Sequence, residues 1–171
     1  TTLISLILQD EGYRVYTGGN IGTPLLDRIE QILPTDRVVL ELSSFQLLDS
    51  LPVGNHAVIT NIIPNHLDFN LNYPEYIDAK KNIFRAQGIT DTLTLNANDE
   101  VSSRFIGEAS GRTRFFNGKD VGNEATAWHD AGILYLRRSP NADSEAIIQE
   151  TDVLLPGTFN LENLMAAAIT T

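Results

Sequence analysis

No cysteine occurs in the 171 residues of this chain. That excludes a disulfide framework and a thiolate metal centre, and it fits an expected cytoplasmic setting. Basic residues are also scarce: 12 Lys and Arg stand against 22 Asp and Glu, a formal charge of −10. Nucleic acid is therefore not an expected partner, because a phosphate backbone demands a basic face. A single nucleotide remains compatible, since it needs only local amides and a few cations. No apolar run reaches the roughly 20 residues that cross a bilayer, and these residues hold no basic-then-apolar leader, so no membrane partner is expected. Repeats and low-complexity stretches are absent as well. What is present is a 42% hydrophobic chain with interspersed charge, enough for one globular domain with its own core.

The most informative stretch runs Val38-Val39-Leu40-Glu41-Leu42-Ser43-Ser44-Phe45-Gln46-Leu47. Val38 to Leu42 reads as a buried strand of a parallel sheet. A carboxylate at the end of such a strand is costly to bury unless something pairs with it. In open α/β sheets, ligands bind at the carboxyl ends of the strands. Glu41 thus stands where a metal or substrate would sit, although a lysine partner or a helix cap would equally explain it. A second apolar strand, Ala57 to Ile62, leads into Pro64-Asn65-His66-Leu67-Asp68, and a helix with Tyr76, Ala79, Lys80, Lys81, Ile83 and Phe84 follows. If the two strands are parallel neighbours, Glu41, His66 and Lys80 can converge on one crevice.

The βα rhythm continues on both sides of this block. A first helix ends near Asp10, with Gly12 as its stop signal. A short strand covers Tyr13 to Tyr16, and a Gly-rich loop, Gly18 to Gly22, precedes a helix from Leu25 to Ile32 with Pro24 at its start. Asp91 to Asn96 reads as a strand and Asp99 to Ala109 as a helix. After Gly111 four short segments, Arg112 to Phe116, Ala125 to Trp128, Ile133 to Arg137 and Ala146 to Glu150, suggest a small antiparallel sheet. A helix from Leu161 to Thr171 follows. The expected class is α/β, a mostly parallel sheet flanked by helices, with a small antiparallel sheet toward the C-terminal part.

Six pieces in order carry a family resemblance: Gly19-Asn20-Ile21-Gly22-Thr23-Pro24, Glu41 to Leu47, His66-Leu67-Asp68, Tyr76 to Phe84 with Ala79-Lys80, Leu95-Asn96-Ala97-Asn98-Asp99, and Gly157-Thr158-Phe159-Asn160-Leu161-Glu162-Asn163. Together they span nearly the whole chain, and the chain resembles the central, ATP-binding domain of the Mur ligases. The Glu-Leu-Ser-Ser-Phe-Gln-Leu block is the most specific of them. It points to the branch that adds D-glutamate to UDP-N-acetylmuramoyl-L-alanine in peptidoglycan precursor synthesis. The resemblance implies ATP and Mg2+ as cofactors and a monomeric protein. It also implies metal ligation by Glu41, His66 and Lys80, the lysine carrying carbon dioxide as a carbamate and so counting as catalytic. A carbamate forms only from the neutral amine, which burial favours. Ala79-Lys80 matches the family pattern, and Lys81 falls one place beyond it.

Further roles follow from the same likeness. Asn20, in the Gly-rich loop, is a candidate contact to the UDP-linked substrate, or a turn former. Ser43 and Gln46 offer a hydroxyl and an amide beside Glu41, although Ser43 can equally cap the short helix. Asn160 and Asn163, three apart on one helix face, are assigned to ATP near the adenine, where an amide pairs as donor and acceptor together; helix capping by Asn160 is the alternative. Asn65, Asn70 and Phe159 depart from the family, which has Asp, often His, and His at those places. The first helix starts after only Thr1-Thr2, and the last pattern lacks a glycine stop. The expectation is accordingly a central-domain fragment over residues 1–171, without the phosphate-binding loop, the N-terminal domain or the C-terminal domain, and inactive alone. Two rivals remain: a related Mur or folylpolyglutamate-type ligase, against which the Ser-Ser-Phe-Gln run argues, and a non-catalytic nucleotide-binding module on the same fold.

Overall fold

The computed structural model describes residues 1–22, 24–63, 72–122 and 124–171. Two sheets lie between helices. Strand β1 (Val15–Gly19) pairs in parallel with β2 (Arg37–Glu41), placing Gly19 opposite Glu41. The larger sheet has the order β3 (His56–Ile59), β4 (Thr92–Asn96), β5 (Arg112–Phe116), β6 (Ala125–Asp130), β7 (Ile133–Arg137), β8 (Glu145–Gln149). Its pairs are parallel through β5–β6 and antiparallel from β6 to β8. The antiparallel strands are therefore not a separate sheet, as the sequence suggested, but the far edge of the parallel one. Nor do the strand bearing Glu41 and the strand before His66 form a hydrogen-bonded pair: β2 and β3 belong to different sheets.

Helix α1 (Thr2–Asp10) packs on β1 and against α4 (Thr158–Thr170), which crosses β3 to β7. Apolar residues of α4, Leu161, Met165, Ala166 and Ile169, bury against Phe116, Ala127, Leu134 and Leu136. On the other face, α3 (Tyr73–Arg85) lays Phe84 against Ala57, Ile59, Leu93, Leu95 and Phe115. A short helix, α2 (Ser44–Leu48), sits beside it and is held there by Asn82, whose amide donates to the Leu47 carbonyl at 2.7 Å. The strand β4 is buried along its whole length, because helices cover both its faces and strands both its edges.

The helix starts obey local chemistry. Asn72 and Glu75 form a capping box at α3, with Pro74 in its first turn, and Ser43 with Gln46 does the same for α2. Each box satisfies orphan N–H groups that a helix cannot pair internally. The segment read as a helix from Asp99 to Ala109 holds only a 3-10 turn, Ser102–Phe105. Asp99 caps it by accepting from the Ser102 amide at 2.7 Å, and Gly107, at φ +81°, ends it. The helix expected from Leu25 to Ile32 is likewise a 3-10 helix, Leu26–Gln31.

Candidate functional site

A cavity of about 1610 Å³ opens between the two sheets. That exceeds the few hundred to 1,000 Å³ usual for one small ligand. Its walls are the edges of β2 and β3, with α1 and α4 on one side and α2 and α3 on the other. Six of the expected site residues line it: Asn20, Glu41, Ser43, Lys80, Asn160 and Asn163. Gln46 is exposed and lies outside the lining. His66, like Asn65 and Asn70, lies outside the described residues.

The small sheet delivers Asn20 and Glu41 side by side. Asn20 N donates to the Glu41 carbonyl at 2.7 Å, which extends the β1–β2 pairing one residue past the strand ends. Gly19 makes this possible. Its φ is +100°, and a Cβ there would stand 2.1 Å from the Glu41 carbonyl oxygen, so only glycine fits. Oε2 of Glu41 accepts from the Thr1 hydroxyl at 3.0 Å. Thr1 in turn is tied into α1, because its carbonyl accepts from the Ser5 amide at 3.1 Å. Ser5, buried, also shares a hydrogen bond with the Thr17 hydroxyl at 2.7 Å. Glu41 is thus held from α1 and β2 together.

Helix α3 presents Lys80 to the same cavity. Its ammonium lies 5.8 Å from the centre of the Tyr76 ring, one helical turn earlier. Burial lowers the Lys80 pKa from its ordinary value, and the negative charge of Glu41 partly opposes that shift. Both effects arise from one arrangement: a lysine taken out of water within the field of a carboxylate. Lys81 points elsewhere. It forms an ion pair with Glu108 at 2.8 Å and sits 4.7 Å over the Phe105 ring, as about 100° of helical rotation requires. The cavity therefore distinguishes the two lysines that adjoin in sequence.

The remaining candidates have structural duties as well. Ser43 Oγ accepts from Gln46 N at 3.3 Å, and Gln46 Oε1 accepts from Ser43 N at 2.9 Å, so the helix-cap reading of Ser43 holds. Asn160 donates to the Pro156 carbonyl at 2.7 Å, which staples the loop before α4. Phe159 is 64% exposed, and its ring packs where a Cβ of Gly157 would stand. Sequence reasoning missed Thr1 as the partner of Glu41, for the two lie 40 positions apart with no shared pattern. Tyr76 was within reach, since it stands four residues before Lys80 on a helix.

Among the described residues no three His, Asp or Glu side chains gather as a metal centre. Magnesium does not require that. It is commonly held by one or two carboxylates together with substrate phosphates and waters, and Glu41 in the cavity wall offers one such carboxylate. Among the described residues no helix is long and apolar enough to cross a membrane.

Comparison with known proteins identifies the family. The family model for the Mur ligase middle domain matches residues 1–171. A UDP-N-acetylmuramoylalanine–D-glutamate ligase from Clostridium botulinum (strain Alaska E43) is 48% identical over 172 residues, covering 100% of this chain and 36% of that protein. The ligase of the same name from Acetivibrio thermocellus is 44% identical over 167 residues, covering 98% and 35%. The chain thus spans about a third of the length of the curated relatives it matches. Among solved structures, MurF ligase from Thermotoga maritima in complex with ADP is similar at a TM-score of 0.60 and 18% identity, covering 97% of this chain and 41% of that one. The UDP-N-acetylmuramate:L-alanyl-γ-D-glutamyl-meso-diaminopimelate ligase from Neisseria meningitides reaches 0.64 at 13% identity, covering 97% and 55%. At those identities the two structures speak for the fold.

Proposed function

The chain belongs to the Mur ligase family, as its middle domain, and from that premise we propose that it is the nucleotide- and metal-binding part of an ATP-dependent ligase joining D-glutamate to UDP-N-acetylmuramoyl-L-alanine. The observation that carries the reading is the placement of Glu41 and Lys80 in one cavity, with burial lowering the lysine pKa. The relatives at 44–48% identity supply the substrates by their names.

In this reading the substrate carboxylate attacks the γ-phosphorus of ATP, ADP leaves, and the amine of D-glutamate then displaces phosphate from the acyl phosphate. Bound Mg2+ would neutralise the phosphate charge and align that transfer. Glu41 would supply an anionic oxygen to the metal, with its carboxylate fixed by the Thr1 hydroxyl. Lys80, as the neutral amine, bonds to the carbon of carbon dioxide and releases a proton, becoming an anionic carbamate. An unmodified ammonium there would repel the metal. His66 is assigned as a further ligand. Asn20 and Ser43 contact the UDP-linked substrate, with Gln46 holding Ser43 in place. Asn160 and Asn163 contact ATP near the adenine. A phosphate-binding loop and further domains outside these residues belong to the same proposal.

The test is a ligase assay on the longer protein, following ADP release with both substrates present. Lys80→Ala should lower kcat about 10²–10³-fold, the scale measured for removing one preorganised electrostatic group from an active site. Short carboxylates added to that variant should restore part of it, whereas Lys81→Ala should stay near wild type. Full activity in Lys80→Ala, or equal losses in both variants, would return Lys80 to an ordinary lysine. Absence of D-glutamate-dependent ADP release in the wild type would sink the ligase reading itself.

A further inference from the structure

The run Leu95-Asn96-Ala97-Asn98-Asp99 closes β4 and the turn after it, and has no part in the chemistry above. Its side chains reach sideways to the place where the chain leaves β3. There the backbone of Thr60 to Ile62 belongs to no strand, yet side chains hold three of its polar groups. Asn96 Nδ2 donates to the Thr60 carbonyl at 3.1 Å. Asp99 Oδ2 accepts from the Ile62 amide at 3.1 Å. The Tyr73 hydroxyl donates to the Ile62 carbonyl at 3.3 Å. Ile62 itself is 3% exposed and belongs to the core. Thr60 and Asn61 line the same cavity as Glu41 and Lys80.

Asn96 is buried and fully used. Its Oδ1 accepts from Asn98 N at 3.0 Å and from Asn117 Nδ2 at 3.4 Å. Asn117 holds a left-handed backbone, φ +65°, and its Nδ2 also donates to Glu162 Oε1 at 3.1 Å. Glu162 stands between Asn160 and Asn163 on α4. A line of side chains therefore runs from the first turns of α4, through Asn117 and Asn96, to the wall formed by Thr60. Only an amide at position 96 serves both ends, because it must donate to a carbonyl and accept from N–H groups at once. Asp99 is equally committed: Oδ1 caps the 3-10 turn while Oδ2 holds Ile62.

We propose that Asn96 and Asp99 are positioning residues of this cavity, fixing the Thr60–Ile62 wall against the helix that carries Asn160 and Asn163. The inference rests on the nucleotide–metal reading of the cavity. Neither residue touches the reacting atoms. They set where the backbone after β3 lies relative to Glu41 and Lys80.

Two near-isosteric changes test it in the longer protein. Asn96→Asp keeps the acceptor for Asn98 and turns the donor facing Thr60 into an acceptor. Asp99→Asn can keep the Ser102 cap and turns an NH2 toward the Ile62 amide. Two quantities are read: amide hydrogen exchange at residues 60–63, and binding of Mn2+ in the presence of ADP by electron paramagnetic resonance. Each variant should exchange faster at Ile62 and bind Mn2+ about tenfold more weakly, the lower end of the range for groups that orient a metal site, with Tm within a few degrees of wild type. Asn96→Asp should lose more, since it also disturbs Asn117. Unchanged exchange at Ile62, or faster exchange with unchanged Mn2+ binding, overturns the proposal. A merely structural role would lower Tm and leave Mn2+ affinity of the folded protein where it was. Ligase activity of the wild type is read separately, so its absence counts against the D-glutamate reading while exchange and Mn2+ binding still decide this one.

Discussion

The strands β2 and β4 look alike in sequence and behave differently in the fold. Both are short, apolar and parallel, and both end in a polar residue, Glu41 and Asn96. Yet β4 is buried at every position, while β2 leaves Val38 and Leu40 each 46% exposed. The difference lies in what covers them. β4 has a strand on either edge and helices on both faces, whereas β2 has β1 on one edge and the cavity on the other. The strand with the deep core holds the wall in place, and the strand with the shallow setting carries the carboxylate. Binding groups are drawn from the less buried part of a fold because they must meet ligand, and stability comes from the part that need not.

The largest expected effect follows directly. Leu95→Ala, at a side chain with 0% exposure in the β3–β5 core, should cost about 2–5 kcal/mol by urea denaturation, the range for emptying a packed leucine site. Leu40→Ala, 46% exposed on β2, should cost less than about 1 kcal/mol, because only part of the side chain's surface is withdrawn from water. Equal losses would erase the contrast between the two sheets.

Gly19→Ala should come next, and it strikes the small sheet alone. The residue sits at φ +100°, and its added methyl would meet the Glu41 carbonyl at 2.1 Å. A non-glycine residue in such a conformation costs about 1–3 kcal/mol, and the clash with backbone adds to that. The β1–β2 pair must shift, taking Glu41 with it. Loss of stability should therefore be accompanied by weaker metal binding. A variant that loses stability and binds Mn2+ as tightly as wild type would show that Glu41 is not anchored through this contact.

Much of this arrangement could be read from the residues. Alternating helical and apolar runs announced the α/β class, Gly12 was readable as the stop after the first helix, and Ser43 was a recognisable cap. Glu41 could be placed at a strand end because a lone carboxylate in Val-Val-Leu-Glu-Leu has to lie where an apolar strand reaches water or a partner. Pairing partners could not be read so easily. Arg112–Phe116 and Ala125–Asp130 have the short, turn-bounded look of hairpin strands, and the short connection between them favours that reading, yet they pair in parallel; local sequence does not name a neighbour. The stretch after Asp99 looked helical because its apolar residues, Val101, Phe105 and Ile106, recur at near-helical spacing. Tertiary packing of Phe105 against Phe84 uses that spacing for a single turn. The tie between Thr1 and Glu41 is a long-range contact with no local trace.

Smaller still is the cap at α2. Ser43→Ala removes the acceptor for Gln46 N and should cost about 1 kcal/mol, with Ser43→Gly costing only a few tenths. The two variants differ in capping and share the loss of the hydroxyl. If Ser43 also contacts the UDP-linked substrate, both should raise its KM alike in the longer protein. A KM change that follows the stability ranking instead would confine Ser43 to capping.

The smallest effect is a slope with pH, and it reports on the space between the two sheets. Burial lowers the Lys80 pKa, with Glu41 acting in the opposite direction. In the unfolded chain the group returns to its ordinary value near 10.5. Below the lowered folded value both states hold the proton, and the cost of burying the charge is fully present. As pH rises through that value the folded protein sheds the proton first, so the unfolded state binds more protons and stability rises with pH until the unfolded lysine titrates too. Lys80→Met keeps the apolar stem and removes the charge. Its stability advantage over wild type, measured as the difference in urea midpoint, should therefore shrink from about pH 7 to about pH 10. An advantage that stays flat across that range would mean that Lys80 pays no desolvation cost between the sheets, and the case for a neutral amine ready to take up carbon dioxide would lose its physical basis.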